Sequence, residues 1–123
     1  MKFNQLGKTG VLVSELCFGA MTFGGKGYWE AIGKLPEKEV TLLIKTAIDK
    51  GINFIDTANA YSEGLSEMLL GKALKSLGIS RQTVVIATKV RLRMGAGANQ
   101  VGLARLHISD SINDNLQRWN LSN

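Results

Sequence analysis

Three side chains of different chemistry follow apolar runs in this 123-residue chain. Asp56 ends "INFID", Tyr61 follows through the small and polar residues "TANA", and Lys89 comes directly after "VVIAT". A carboxylate, a phenol and an ammonium that converge can move protons. A phenol is a weak acid, with an ordinary pKa of about 10. An ammonium about 4 Å from its oxygen, at an effective dielectric of about 20, favours the phenolate by about 4 kcal/mol. A carboxylate would pair with the ammonium and aim it, and would offset part of that effect. The phenol then becomes a general acid that protonates a carbonyl oxygen as hydride reaches the carbon. Singly, each residue has a plainer role. Asp56 could cap a turn, Tyr61 could pack with its hydroxyl in water, and Lys89 could snorkel to the surface.

The elements that must position these residues follow from periodicity. "KFNQLGKTGVLVS", residues 2–14, reads as a hairpin turning through Gly7–Gly10. "LCFGAM" is a short strand, stopped by the glycine-rich loop "TFGGKGYWEAIGK". Pro36 suits the first position of a helix whose inner face is Val40, Leu43, Ile44 and Ala47, with Gly51 just past its end. "INFID" is a strand, and Leu69, Leu70, Ala73, Leu74 and Leu77 mark a second helix ending at Gly78. "TVVIATKV" suits a strand covered on both faces. After the loop "RLRMGAGANQVG", Ile108, Ile112, Leu116 and Trp119 mark a third helix face.

A hairpin followed by three strand–helix repeats implies an α/β fold with a parallel sheet. In such folds ligands bind at the carboxyl ends of the strands. Those ends are Gly19–Thr22, Asp56–Tyr61 and Lys89. Their coincidence with the three reactive groups favours a site over three unrelated surface residues.

Other features carry less. "GAGANQ" has Gln100 where a dinucleotide fingerprint needs its third glycine. "GAMTFGGK" has Gly25 where a phosphate loop needs lysine. His107 reads as a helix-packing or solvent-facing residue, and one His with one Cys does not suggest zinc. Cys17 reads as a buried, inert thiol, and a single cysteine implies a reducing compartment, with cytoplasmic localisation as the expectation. Apolar residues make up 45% and charged residues 20%, as in globular domains. No apolar run reaches the roughly 20 residues of a membrane span, so no membrane partner is expected. The net charge of +5 is spread out, with only "KVRLR" dense. It reads as a basic rim or an anion-binding edge. No zinc spacing, aromatic RNA-binding stripe or helix-turn-helix supports a nucleic-acid partner.

Four stretches together resemble the aldo-keto reductases, in their bacterial and potassium-channel-β-subunit-like branch. They are "LGKTGVLVSELCFGAMTFGG", "GINFIDTANAYSEGLSEMLLGKAL", "VVIATKV" and "GLARLHISDSINDNLQRWNL". The resemblance spans essentially residues 1–123 as one domain. It implies a (β/α)8 barrel that reduces aldehydes and ketones with NADPH and no metal. By that resemblance Tyr61 is the proton donor, Lys89 assists it, and Asp56 pairs with Lys89. Asp56 also matches a contact to the nicotinamide ribose, and Ala20 and Met21 match positions lining the nicotinamide. Tyr28 and Trp29 either line the carbonyl pocket or pack the first loop.

The same resemblance places a fourth catalytic residue, a histidine, after a fourth strand beyond "WNLSN". A full barrel needs about 250 residues. The expectation is therefore an N-terminal hairpin plus the first three βα units of an incomplete barrel. Its open sheet edges favour self-association, and the isolated chain is weakly active or inactive. The alternatives are a non-enzymatic cofactor-sensing binding module and an inactive truncated product. Ala104 stands where relatives often have serine, which removes a helix cap worth about 1 kcal/mol.

Overall fold

The structure, a computed structural model, describes residues 1–119. Asn120 and Leu121, the end of the last quoted stretch, lie outside the described residues. The hairpin forms as expected: β1 (Phe3–Gln5) pairs antiparallel with β2 (Leu12–Ser14). Asn53 fastens it to the main sheet. Its Oδ1 accepts from the Ser14 N–H at 2.7 Å, and its Nδ2 donates to the Leu12 carbonyl at 3.1 Å.

Then β3 (Cys17–Gly19), α1 (Glu37–Asp49), β4 (Phe54–Asp56), α2 (Leu65–Ser76), β5 (Val85–Ala87) and α3 (Arg105–Arg118) follow in order. The sheet order is β3-β4-β5, with both pairs parallel. The register aligns Phe18, Ile55 and Ile86 in one row, and Gly19, Asp56 and Ala87 in the next. Because side chains alternate along a strand, these two rows face opposite ways. Ile55 turns to the helices and is fully buried with Ile44, Val40, Leu70 and Phe23. Asp56 turns to the other face, which is only partly covered among the described residues.

Five expectations need correction. Leu43 is 39% exposed, so the buried face of α1 is Val40, Ile44 and Ala47 only. The strand in "TVVIATKV" is half-buried along its length rather than covered on both faces. Pro36 is the cap of α1 rather than its first residue: it is extended (φ −76°, ψ 165°), and its carbonyl accepts from the Val40 N–H. A cap residue accepts the first helical bond while keeping extended dihedrals. Cys17 is exposed, because β3 turns Phe18 and not Cys17 toward the helices. Partial burial of its sulfur and the nearby Asp56 charge push the thiol up, so it stays protonated near neutral pH.

The buried stripe of α3 is His107, Ser111 and Asn115, continued by Trp119, while Ile112 is 51% exposed. Ile108 and Leu116 flank that stripe, half-buried. Asn115 is partnered there through Arg118, which bridges it to the fully buried Glu67 of α2. A Cβ on Gly71 would lie 2.6 Å from the Trp119 Cα. Gly51 and Gly78 do end their helices in left-handed conformation, as the sequence suggests (φ 85° and 64°).

Two stability effects follow. Alanine in place of Gly71 gains about 1 kcal/mol of helix propensity, but overlap with the Trp119 backbone costs about 1–3 kcal/mol. Gly71→Ala is expected to lower the denaturation midpoint, and an unchanged or raised midpoint would refute the close α2–α3 approach. Ala104 caps α3 without any side-chain hydrogen bond. Ala104→Ser is expected to raise unfolding free energy by about 1 kcal/mol in urea titration.

Candidate active site

The three reactive side chains meet at the carboxyl ends of β4 and β5. Lys89 Nζ lies 2.6 Å from Asp56 Oδ2, 2.8 Å from the Thr57 carbonyl and 3.2 Å from the Tyr61 hydroxyl. It also sits 5.0 Å from the centre of the Tyr61 ring. Register explains the meeting. Asp56 lies beside Ala87, so Lys89, two residues further on, points to the same face. The crossing hydrogen bonds continue past the strands, from the Thr57 N–H to the Ala87 carbonyl and from the Asn59 N–H to the Lys89 carbonyl.

Burial pulls the Lys89 ammonium down, but hydrogen bonds and charge attraction from Asp56 and Tyr61 outweigh it and hold the group above the ordinary lysine value. Its side chain is 50% exposed and that of Asp56 38%, so solvent screens the pair. The ammonium stays charged throughout the neutral range. Asp56 contacts it through Oδ2 alone, which leaves Oδ1 open to a ligand among the described residues.

Tyr61 is held by a strained turn. Ser62 and Glu63 both adopt left-handed dihedrals (φ 51° and 56°), and Gly64 follows at φ 90°. Each such non-glycine residue costs about 1–3 kcal/mol and persists where the surroundings hold it in place. Here the Ser62 hydroxyl, fully buried, donates to the Phe23 carbonyl at 2.8 Å and accepts from the Gly25 N–H at 2.9 Å. Glu63 pairs with Lys26 at 3.1 Å. The loop after β3 is thereby tied to the turn carrying the phenol. That loop brings Trp29 edge-on to Tyr61, with centroids 4.9 Å apart. Trp29 therefore packs on the site itself, while Tyr28 is mostly exposed.

Of the two cofactor positions suggested by sequence, Met21 is 41% exposed beside the strand ends and Ala20 is fully buried. The Ala20 N–H donates to the Asp56 carbonyl, and its own carbonyl accepts from Ser66 Oγ at 2.7 Å. Ala20 thus supports the site from behind. Two adjoining cavities share Ala60 and Leu92. One, of about 370 Å³, contains Tyr61 and Lys89. The other, of about 570 Å³, is bounded by Tyr28, Trp29, Met94, Lys26 and Arg93.

The rejected motifs have structural roles. Gln100 folds back so that its Oε1 accepts from the Gly97 N–H, and Arg93 donates to the Gly95 and Gly97 carbonyls. His107 is buried on the inner side of α3. No group of three or more metal-ligating side chains occurs among the described residues. No helix among them is long and apolar enough to cross a membrane. Sequence reading missed Ser62, Ser66 and Glu67. Nothing in their residue types marks a serine or a glutamate for left-handed backbone or full burial.

An ammonium thus touches both a carboxylate and a phenol where neighbouring parallel strands end. The model of the aldo/keto reductase family covers residues 15–123. The chain belongs to that family. It superposes on the aldo-keto reductase AKR11C1 from Bacillus halodurans, in its holo form, with a TM-score of 0.77 and 34% identity. That match covers 98% of this chain and 37% of the other. Versiconal hemiacetal acetate reductase of Aspergillus parasiticus is 36% identical over 96% of this chain and 39% of its own length. A protein of Oryza sativa subsp. japonica, named "Probable voltage-gated potassium channel subunit beta", is 36% identical over 98% of this chain and 34% of its own length. This aldo-keto reductase chain therefore spans a little over a third of the length of these three relatives.

The Lys89 contacts make stability depend on alkaline pH. Because its folded-state pKa is raised, the contribution is fully present below the ordinary lysine value and fades as pH rises through the folded value. Asp56→Asn removes the strongest raising contact. The variant is expected to lose this contribution at lower pH than the parent, as read from urea midpoints between about pH 8 and about pH 11. Superimposable pH profiles would show that the ion pair is not formed in solution.

Proposed function

We propose that this chain carries the proton-donating part of an NADPH-dependent carbonyl reductase built on a (β/α)8 barrel, of which it supplies the hairpin and first three βα units. The single observation behind this is the contact of Lys89 Nζ with both Asp56 and Tyr61 at the ends of neighbouring parallel strands. In this reading Tyr61 is the general acid. Lys89 donates to its hydroxyl oxygen, and Asp56 aims Lys89.

The residues fit the nicotinamide end of the cofactor. The open oxygen of Asp56 can accept from a ribose hydroxyl, and Met21 borders the same strand ends with its side chain accessible. Ala20 acts there through the backbone contacts behind the site. NADPH, when bound, supplies the hydride. Tyr61 would pass its hydroxyl proton to the oxygen of the carbonyl being reduced, which completes the alcohol. The phenolate left behind is stabilised by Lys89 until water returns the proton. The substrate is a small aldehyde or ketone whose oxygen meets Tyr61 and whose body lies toward Trp29.

The face of the sheet that carries Asp56 is only partly covered among the described residues, so weak turnover or none is expected from residues 1–123 by themselves. A second reading, a cofactor-sensing binding subunit, draws on the name of the rice relative. Turnover of an aldehyde favours the first reading, whereas saturable NADPH binding without turnover favours the second.

Tyr61→Phe separates chemistry from binding. Introduced into a complete barrel carrying this segment, the variant is expected to reduce an aromatic aldehyde about 10²–10⁴-fold more slowly, the range for losing a general acid. Its saturable change in NADPH fluorescence should remain. Turnover equal to the parent would sink the acid assignment, and loss of binding alone would reassign Tyr61 to cofactor recognition.

A further inference from the structure

The first turn of α2 reaches the segment that follows each strand of the parallel sheet. Ser66 Oγ donates to the Ala20 carbonyl, just past β3, at 2.7 Å. It lies 3.4 Å from Thr57 Oγ1, just past β4. Glu67, the next residue, accepts from Thr88 Oγ1, just past β5, at 2.7 Å through Oε1. Its other oxygen, Oε2, takes the Arg118 Nε of α3 at 2.6 Å. Ser66, Glu67 and Thr57 are all fully buried. A buried carboxylate is costly unless paired and hydrogen-bonded, and both oxygens of Glu67 are used.

We propose that Glu67 is a positioning residue for Lys89: anchored by Arg118, its carboxylate holds Thr88 and thereby sets the backbone from which Lys89 reaches Asp56 and Tyr61. This rests on the reading that Lys89 serves Tyr61. The geometry is that of a lever. Thr88 and Lys89 are consecutive, and successive side chains in extended backbone point to opposite faces. Gripping Thr88 from the helix side therefore fixes the direction of Lys89 on the site side. Lysine carries its charge on a flexible four-carbon stem. Its three simultaneous acceptors, Asp56, the Thr57 carbonyl and Tyr61, are met only if the stem starts from a fixed place. Arg118 also donates to Asn115 Oδ1, so α3 holds the guanidinium in turn.

Removing Glu67 outright would leave Arg118 unpaired and could unfold the chain. Thr88→Val cuts only the link between the carboxylate and the strand end, keeps the shape of the side chain, and leaves the Glu67–Arg118 pair intact. Thr88→Ser restores the hydroxyl. The readout is the rate of reductive methylation of each lysine by formaldehyde and a borohydride, resolved by peptide mass spectrometry, with circular dichroism to confirm folding. An ammonium held by Asp56 and Tyr61 reacts slowly.

Thr88→Val is expected to speed modification of Lys89 several-fold relative to Lys45, and Thr88→Ser to return it to the parent rate. A folded Thr88→Val protein with an unchanged Lys89 rate would overturn the proposal. So would a Thr88→Ser protein that reacts as fast as Thr88→Val, since the hydroxyl would then be irrelevant. Neither arm uses carbonyl reduction. If the reductase reading failed, aldehyde turnover would be absent while the methylation pattern stood.

Discussion

The register of three short parallel strands is the constraint on which everything else depends. Gly19, Asp56 and Ala87 lie side by side, and Asp56 shares a face with Lys89 only in that alignment. A slip of one residue would turn the Asp56 carboxylate into the apolar layer and bring Ile55 to the open side. Burial of Ile55 against Ile44 and Leu70 forbids this slip. The apolar core and the charged cluster are thus two faces of one choice. The hydrophobic effect selects the register, and the register delivers the ionisable groups.

Strain and polar burial do the finer placement. The turn after β4 would not by itself put two consecutive non-glycine residues into left-handed backbone. Ser62 makes that turn tenable by spending both hydrogen-bonding roles of its hydroxyl on the loop after β3. The same contacts draw Trp29 against Tyr61. Glu67 and Arg118 do the corresponding work between α2 and α3. A buried pair of this kind adds little net stability, whereas breaking it by removing one partner costs about 3–5 kcal/mol. Its value lies in specifying one arrangement. Arg118 also donates to Asn115 Oδ1, which accounts for the burial of that polar residue on the inner side of α3.

Most of the architecture was legible from periodicity. Apolar spacing identified both inner helices, and Gly51 and Gly78 marked their ends. Placing Asp56, Tyr61 and Lys89 after successive apolar runs was enough to suspect a site, because parallel α/β folds gather strand ends. On helix α3 the expected face held for Trp119 but not for Ile112, because the buried line runs through His107, Ser111 and Asn115, with Ile108 and Leu116 at its margin. Neither Glu67 nor Gly71 announces burial in sequence. Cys17 was misread for a related reason: in a three-residue strand, alternation cannot tell which parity faces the helices until the neighbouring strand is in place.

By itself, the sequence determined which residues could do chemistry and which elements carry them, since residue type and hydrophobic period are local properties. Tertiary structure alone decided the rest. It set Lys89 Nζ within hydrogen-bonding distance of Asp56 and Tyr61. It also turned Trp29 onto the phenol and Glu67 onto Thr88. Those contacts join segments tens of residues apart, and their distances are fixed by how helices pack on a registered sheet. No local property of the chain encodes that.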